Sequence, residues 1–320
     1  MTRNLQATAI IAAALVALLG AAPALAQPAR TCVSAAKGND ANAANYCDCA
    51  TPCRQLQVAL DQTAAGGEVT VLDPGNYGVS GLTINKAINI TNDGVGEAGI
   101  LAPSGAVVTI NTTGTGNGPV NLRGLAIQGM PAGTSSGVRF NGGASLTMTN
   151  CIVRNHTGNG IEFLPTNSSQ LSVSNTLVSN NGHYGILVEP AAAAAAIEAV
   201  FSRVEANNNG AGIAVLGSSN ATIRATVADS VAANNTGSGF YASLGPINMM
   251  VVRAVVANNG TGIMSSTLSS NIWVGGSIVS GNDVGIWVPN GQGAIYSYGD
   301  NNINGNATDI AWPLATVSKR

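Results

Sequence analysis

Short segments in which apolar and polar residues alternate fill most of the chain, and Gly, Asn and Ser separate them. A four-residue pattern of glycine, aliphatic, any residue and apolar begins with Gly137-Val138-Arg139-Phe140 and recurs every 23 to 27 residues. Its glycines are Gly137, Gly160, Gly185, Gly212, Gly239, Gly262 and Gly285. A fixed period of this kind is typical of a repeat architecture.

A second, six-residue element lies between successive copies of the first. Two clear examples are Asn150-Cys151-Ile152-Val153-Arg154-Asn155 and Asn175-Thr176-Leu177-Val178-Ser179-Asn180. Each repeat therefore holds about three short strands, with no room for the helical crossover of a βα unit. The pattern predicts an all-β parallel β-helix with three short strands per coil and roughly eight to nine coils, stacked about 4.8 Å apart.

Alignment of the second element predicts two kinds of column along the rod. An aliphatic column is expected to point inward: Ile152, Leu177, Val204, Val231, Val255 and Ile278. A structural asparagine ladder is expected where the strand ends: Asn155, Asn180, Asn207, Asn234 and Asn258. Stacked amides can hydrogen-bond along the rod because each has both donors and acceptors; a ligand-binding amide row is the alternative.

The next column reads Asn181, Asn208, Asn235, Asn259 and Asn282, with His156 in the first place. A single substitution in such a column indicates either tolerated variation or a catalytic histidine.

The two ends of the chain differ from its middle. Residues 1–26 contain Arg3, an apolar run and Ala24-Leu25-Ala26, which together predict a cleavable secretory signal and a secreted or periplasmic protein. The alternative is a membrane anchor, but the apolar run is short for a membrane span. We expect an N-terminal cap over 27–66 with a short capping helix, a β-helix over 67–306, and a tail over 307–320 that covers the far end.

Four of the five cysteines lie near the N-terminus. Cys47, Cys49 and Cys53 are disulfide candidates, with Cys32 upstream, because export permits disulfides. A thiolate metal site is the alternative, but the paired spacing of zinc sites is absent from this segment. Cys151 falls within the repeats, and the odd count leaves at least one thiol free or intermolecular. No metal and no cofactor is expected.

Composition and charge narrow the function. Charged residues make up 9% of the chain and the formal net charge is −2, so nucleic-acid binding is not expected. No apolar stretch after the signal is long enough to cross a membrane.

The chain resembles bacterial secreted right-handed parallel β-helix repeat proteins of the pectin-lyase-like superfamily. The resemblance is carried by Leu56-Gln57-Val58-Ala59-Leu60, by Asp73-Pro74-Gly75-Asn76-Tyr77, by residues 120–127 and 298–306, and by the repeats. It implies right-handed coils and raises three activities: polysaccharide lyase, glycoside hydrolase or epimerase. The Asn-Thr-Asp, Gly-His-Gly and Arg-Ile-Lys motifs of polygalacturonase-like enzymes do not occur in the sequence.

Candidate catalytic groups are few. A glycosidase needs two carboxylates on one face, about 5–10 Å apart. The densest polar cluster, Arg154, His156 and Glu162, holds one carboxylate, and Arg139 is expected to stand beside Glu162 as a surface ion pair. We therefore expect a non-catalytic exported scaffold, with a carbohydrate-active enzyme of diverged site as the alternative.

The C-terminal coils are expected to expose large apolar side chains. The outward column of the glycine-containing strand runs Arg139, Glu162, Leu187, Ala214, Tyr241, Met264, Trp287, and that of another strand runs Thr147, Ser172, Ala199, Thr226, Met250, Trp273. Exposed apolar patches indicate contact with a partner. Tyr241, Met264, Trp287, Met250 and Trp273 are therefore candidate ligand-binding residues. The partner would be a polysaccharide or a cell-surface protein; an oligomer interface and cover by the tail around Trp312 are the alternatives.

Overall fold

The computed structural model describes residues 26–319 apart from 79, 113, 115, 116, 131, 132, 192–195, 219 and 220. The predicted signal segment therefore lies outside the described residues except for Ala26.

The chain winds into a rod with three faces, each a parallel sheet of one short strand per coil. Face 1 contains β1 (Arg30–Val33), β2 (Glu68–Val71), β5 (Ile88–Thr91), β8 (Pro119–Arg123), β11 (Ser145–Thr149), the first part of β14 (Ser169–Ser179), the first part of β16 (Ala196–Asn207), β18 (Thr222–Ala228), β21 (Ile247–Val252), β24 (Ser270–Gly275), β27 (Ala294–Ser297) and β30 (Ala315–Thr316).

Face 2 follows face 1 in each coil. It contains β3 (Gly75–Asn76), β6 (Ala98–Leu101), β9 (Leu125–Gln128), β12 (Ile152–Arg154), the second parts of β14 and β16, β19 (Val231–Ala233), β22 (Val255–Ala257), β25 (Ile278–Ser280) and β28 (Asn302–Ile303).

Face 3 completes each coil and forms, within the described residues, a 10-stranded sheet. It contains β4 (Leu82–Ile84), β7 (Gly105–Asn111), β10 (Thr134–Gly142), β13 (Ile161–Phe163), β15 (Tyr184–Val188), β17 (Ala211–Leu216), β20 (Ser238–Ser243), β23 (Thr261–Ser265), β26 (Val284–Trp287) and β29 (Thr308–Ile310). The predicted fold class, a parallel β-helix with three short strands per coil, is confirmed.

Inward side chains of the three faces form one continuous apolar core. On face 3, for example, the rings of Phe140 and Phe163 stack with centroids 4.5 Å apart. On face 2 the inward column is Val153, Val178, Ala206, Ala232, Val256 and Val279.

The predicted inward column of face 2 was wrong by one residue except at Val204, which is buried. Val255 and Ile278 are 38% and 44% exposed, because they occupy the outward position of their strands. In the third copy, Leu177 pairs with Glu205 rather than Val204, so the alignment also slips by one there. A one-residue slip moves a side chain to the opposite face of a strand.

A buried amide ladder runs along the bend between faces 2 and 3. Its members are His156, Asn181, Asn209, Asn235, Asn259, Asn282 and Asn306. From Asn181 onward, each amide nitrogen donates to the amide oxygen of the following member, as between Asn235 and Asn259 at 2.8 Å. Asp309 ends the series by accepting from Asn306 at 2.9 Å.

The ladder therefore lies one position beyond the column predicted for it. Of the predicted members, Asn155, Asn180, Asn234 and Asn258 are exposed turn residues with positive φ, and Asn207 is half-buried at the end of β16. Asparagine tolerates the left-handed conformation because its short side chain can hydrogen-bond locally.

The recurring glycine is required by the ladder beside it. A Cβ atom at Gly212 would lie 2.4 Å from the carbonyl oxygen of Gly239 and 3.2 Å from the amide nitrogen of Asn235. The same crowding recurs at the other glycines of the series, so the coils stack closely only if this position lacks a side chain.

The N-terminal end is closed by helix α1 (Leu56–Gln62), whose buried Leu56, Ala59 and Leu60 pack on the core. Two disulfides, Cys32–Cys49 and Cys47–Cys53, cross the preceding loop, which contains a short 3-10 helix (Asp40–Asn45). Cys151 is a buried free thiol.

At the C-terminal end, after a 3-10 turn (Pro289–Gly291), the rod continues beyond residue 306. β29 extends face 3 and β30 extends face 1 by pairing with β27. Part of the expected tail therefore forms strands of the last coil.

Candidate ligand-binding surface

The outward residues of face 1 change from polar to aromatic along the rod. The column runs Asn89, Asn121, Thr147, Ser172, Val200, Thr226, Met250, Trp273 and Tyr296. Val200, 46% exposed, takes the place expected for Ala199. Ala199 points inward because β16 is shifted by one residue relative to the alignment.

Trp273 and Tyr296 form an aromatic platform on this face. Their ring centroids are 5.3 Å apart with an interplanar angle of 20°. Both side chains are partly exposed, and Met250 extends the row on the N-terminal side. The tail strand β30 lies beyond Tyr296 in the sheet and so does not run across Trp273.

A groove with a volume of about 550 Å³ adjoins the platform at the corner between faces 1 and 2. Its lining consists of Met250, Val252, Arg253, Gly275, Gly276, Tyr298, Asp300 and Lys319. The Tyr298 ring lies against Gly275, where a Cβ would come within 2.9 Å of it. The groove therefore combines apolar walls, an aromatic ring and charged groups.

The charged groups of this corner are paired. Nε and Nη2 of Arg253 each lie 2.7 Å from a carboxylate oxygen of Asp229. Nζ of Lys319 lies 2.6 Å from Asp300, which also accepts from the backbone N–H of Gly276. Hydrogen bonds from their cationic partners hold the pKa of both carboxyl groups below the usual value.

Arg253 lies at the turn position that Asn150 and Asn175 occupy in two earlier coils. Its φ is 51°, in the left-handed region that arginine rarely adopts. Such a conformation costs about 1–2 kcal/mol in a residue with a Cβ. Arg203 and Asp229, at the equivalent turns of the two preceding coils, also have positive φ, so the conformation belongs to the coil, and it directs the Arg253 side chain towards the groove.

Face 3 carries a second apolar column in the predicted order. Adjacent strands place Tyr241 beside Met264 and Met264 beside Trp287. Trp287 is 39% exposed. Tyr241 packs against the apolar cluster of Leu187, Ala214 and Leu216, and its hydroxyl lies 3.1 Å from that of Ser266.

Glu162 and Arg139 pair as the sequence predicts, with Nε 2.5 Å from the carboxylate. Glu162 is buried and also accepts from Nδ2 of Asn159 at 2.7 Å. Burial raises the pKa of Glu162, but the hydrogen bonds from Arg139 and Asn159 outweigh that effect and the net shift is downward. A carboxylate held in the ionised form is poorly suited to act as a general acid.

His156 begins the buried amide ladder, inside the rod. Its Nε2 lies 3.3 Å from the carbonyl oxygen of Ile127, so Nε2 carries the proton. Its Nδ1 meets no hydrogen-bond partner among the described residues. Burial lowers the pKa of His156 to about 4. Arg154 instead reaches the side chain of Gln128, at 3.2 Å on the outside of face 2.

Sequence reasoning missed residues of both the platform and the groove. Tyr296 follows Trp273 by the interval that separates Trp273 from Met250, so the repeat itself was a sufficient signal. Lys319 lies beyond the last repeat, where no periodic signal exists.

None of the helices among the described residues is long and apolar enough to cross a membrane. No group of three or more His, Cys, Asp or Glu side chains in this part of the chain could hold a metal ion.

The comparisons with known proteins agree with the architecture. A family described as "Right handed beta helix region" matches residues 70–228. No curated protein matches the sequence.

Three solved structures have folds similar to that of this chain. Pectate lyase Pel9A is 16% identical, with a TM-score of 0.59 and coverage of 90% of this chain and 77% of that one. The A-module of mannuronan C-5 epimerase AlgE4 from Azotobacter vinelandii is 16% identical, with a TM-score of 0.50 and coverage of 83% and 95%.

The enzymatically active domain of bacteriophage CBA120 tailspike protein 2 is 12% identical, with a TM-score of 0.51, and this chain covers 81% of its own length and 48% of the tailspike chain. At these identities the likeness concerns the fold alone.

Proposed function

Because this chain is a right-handed parallel β-helix protein of the pectin-lyase-like fold, we propose that it binds a polysaccharide through face 1 without cleaving it. The observation that carries the proposal is the platform of Trp273 and Tyr296 beside an open groove. The fold is shared with a pectate lyase and a mannuronan epimerase, whose names indicate polysaccharide substrates.

A flat aromatic platform suits a sugar ring. The apolar face of a pyranose can lie on exposed aromatic carbons, and its hydroxyls can reach the polar groups of the adjoining groove. Tyr and Trp supply large contact area at low cost in conformational entropy. Strands repeat about every 4.8 Å along the rod, so several coils are available to one extended chain.

The non-catalytic part of the proposal rests on the state of the carboxylates. Asp229, Asp300 and Glu162 are each paired with a cation and have lowered pKa values. Glycoside hydrolysis requires one carboxyl group with a raised pKa that can protonate the leaving oxygen. The hydrolase alternative, with Arg154, His156 and Glu162 as candidates, would need a carboxyl group with that property.

We also propose that the protein is exported, with residues 1–26 as a cleaved signal and residues 27–66 as the N-terminal cap. Two disulfides in that cap support an oxidising compartment.

The test is binding to a panel of soluble polysaccharides by affinity electrophoresis and calorimetry. Trp273→Ala should weaken binding by roughly 30-fold, because truncating a central aromatic contact typically costs about 2 kcal/mol. Trp312→Ala is the matched control: its ring is 46% exposed and lies in the tail against Gly291.

Three results would separate the alternatives. Undiminished binding by Trp273→Ala would exclude the face 1 platform. Loss of binding only in Trp287→Ala would move the site to Tyr241, Met264 and Trp287 on face 3. Turnover of pectin, alginate or polygalacturonate by the wild type would overturn the non-catalytic assignment.

A further inference from the structure

Charged residues alternate in sign along the corner that borders the groove. The turn positions of three successive coils carry Arg203, Asp229 and Arg253; after the uncharged turn at Gly276 comes Asp300, which Lys319 reaches from the tail. Arg203 also lies close enough to lower the pKa of Asp229. The cations of the groove are therefore already neutralised by carboxylates.

The two cations of the groove differ in how strongly their carboxylate partners bind them. Arg253 is bound at two nitrogens by both oxygens of Asp229, and this two-point geometry is the strong form of the pair. Lys319 has a single contact with Asp300. An incoming carboxylate would have to displace these partners or share the cation with them, and Coulomb repulsion from Asp229 and Asp300 opposes both.

Hydroxyl groups meet no such obstacle. A sugar hydroxyl both donates and accepts, whereas an ionised carboxylate only accepts. The pairs leave guanidinium and ammonium N–H donors and carboxylate lone pairs unused, since Arg has five N–H donors and an ionised carboxylate about four acceptor sites. A surface that presents donors and acceptors side by side is complementary to hydroxyls, and the two ion pairs of the groove carry no net charge.

The net charge of the surface also affects how readily an acidic polymer approaches it. An acidic polymer is drawn to a surface by uncompensated positive charge, and such attraction falls steeply with salt. Around the groove, Arg253 is compensated by Asp229 and Lys319 by Asp300. On the same face, Arg224 stands beside Glu198 in the paired strands β18 and β16.

From this charge compensation we infer that the face 1 groove selects uncharged polysaccharides and rejects polyuronates. The inference rests on the proposed function and names the ligand class of the same site. The aromatic platform supplies affinity, and the paired carboxylates supply the discrimination against anionic chains.

The experiment compares wild-type binding to neutral polysaccharides (galactomannan, xyloglucan and dextran) with binding to polygalacturonate and alginate. We expect a neutral polymer to bind with an affinity that changes little between low salt and about 1 M salt, where the Debye length is about 3 Å. Binding to the two polyuronates should be at least about tenfold weaker.

Two variants test whether the paired carboxylates cause the selectivity. Asp229→Asn frees Arg253 and Asp300→Asn frees Lys319, and each should raise binding to polygalacturonate about tenfold at low salt, with the gain lost at high salt. Asp93→Asn is the matched control, because it frees Arg123 on face 1 far from the platform. Circular dichroism checks that each variant is folded.

The outcomes separate the two proposals. Trp273-dependent binding confined to polyuronates would overturn the selectivity and leave polysaccharide binding intact. Unchanged binding of polygalacturonate by both Asp variants would also overturn the selectivity, because the carboxylates paired with Arg253 and Lys319 would then not be what excludes the anionic polymer. Absence of binding to every polymer would overturn both.

Discussion

Removal of one amide from the buried ladder should destabilise the rod far more than removal of its exposed neighbour. Asn259 is 3% exposed and makes four side-chain hydrogen bonds. Its oxygen accepts from the backbone and side-chain nitrogens of Asn235, at 3.0 and 2.8 Å. Its nitrogen donates to the Ala232 carbonyl and to Asn282, both at 2.9 Å.

The magnitude follows from these bonds. A buried hydrogen bond contributes about 1 kcal/mol net, and partners left unsatisfied cost more. Asn259→Ala should therefore lower the free energy of unfolding by about 4 kcal/mol. The matched control is Asn258→Gly: Asn258 is exposed with a φ of 56°, which glycine adopts freely, so the change should stay within about 0.5 kcal/mol.

Two measurements check this prediction. Guanidinium unfolding followed by circular dichroism gives the global change. Hydrogen exchange of the Asn235 amide gives the local one, and its protection should fall about a thousandfold for a loss of about 4 kcal/mol. Equal effects of Asn259→Ala and Asn258→Gly, or a loss below about 1 kcal/mol in the former, would refute the reasoning.

Two further predictions concern the first member of the ladder and the N-terminal cap. Because burial depresses the pKa of His156 to about 4, well below that of an unfolded histidine, its contribution to stability is complete above about pH 6.5 and falls as the pH drops towards 4. The stability lost through His156 on acidification amounts to up to about 3 kcal/mol. In His156→Asn the melting temperature should therefore fall less between pH 6.5 and pH 4 than in the wild type. The same pH dependence in both proteins would refute the prediction. In the cap, Cys32–Cys49 closes 17 residues and Cys47–Cys53 closes 6, so paired Cys→Ala replacement should cost about 3 and about 2 kcal/mol respectively. Calorimetric melting of both double variants tests the order, and a reversed order would contradict the chain-entropy argument.

The architecture could be predicted from the sequence because two independent physical constraints recur in every repeat. The recurring glycine marks the tight approach to the ladder, and the alternation marks short strands with one buried side. The order of the column from Arg139 to Trp287 was therefore predicted correctly, as strand pairing shows, although Glu162, Leu187 and Ala214 within it are buried.

The register of face 2 was the main error, and its cause is chemical ambiguity. Pairs such as Ile152-Val153 and Leu177-Val178 are aliphatic at both positions, so either residue could fill the core. Glu205 resolves the ambiguity once the third copy is aligned correctly, because an unpaired carboxylate is costly to bury. The run Asn207-Asn208-Asn209 concealed that alignment, since any of the three could mark the turn.

The candidate site was only partly accessible to sequence reasoning. Met250 and Trp273 followed from the period, but the ion pairs of the groove join residues from different coils and from the tail. Arg253 and Asp229 contact each other because equivalent turn positions stack, and Lys319 reaches Asp300 from outside the repeat. Such contacts depend on three-dimensional geometry that no local pattern encodes.

The amide ladder has a direction, and this sets where the rod can change length. Every internal amide accepts from the coil before it and donates to the coil after it. The first place is filled by a histidine, whose Nε2 donates to the carbonyl of Ile127 and whose Nδ1 accepts from no described residue, and the last place by the acceptor-only carboxylate of Asp309. A coil inside the ladder can be duplicated or deleted without breaking the sequence of donors and acceptors, whereas the coils that carry His156 and Asp309 cannot be exchanged. The length of the rod, and with it the binding surface, can therefore change by whole coils while His156 and Asp309 keep the two ends of the ladder unchanged.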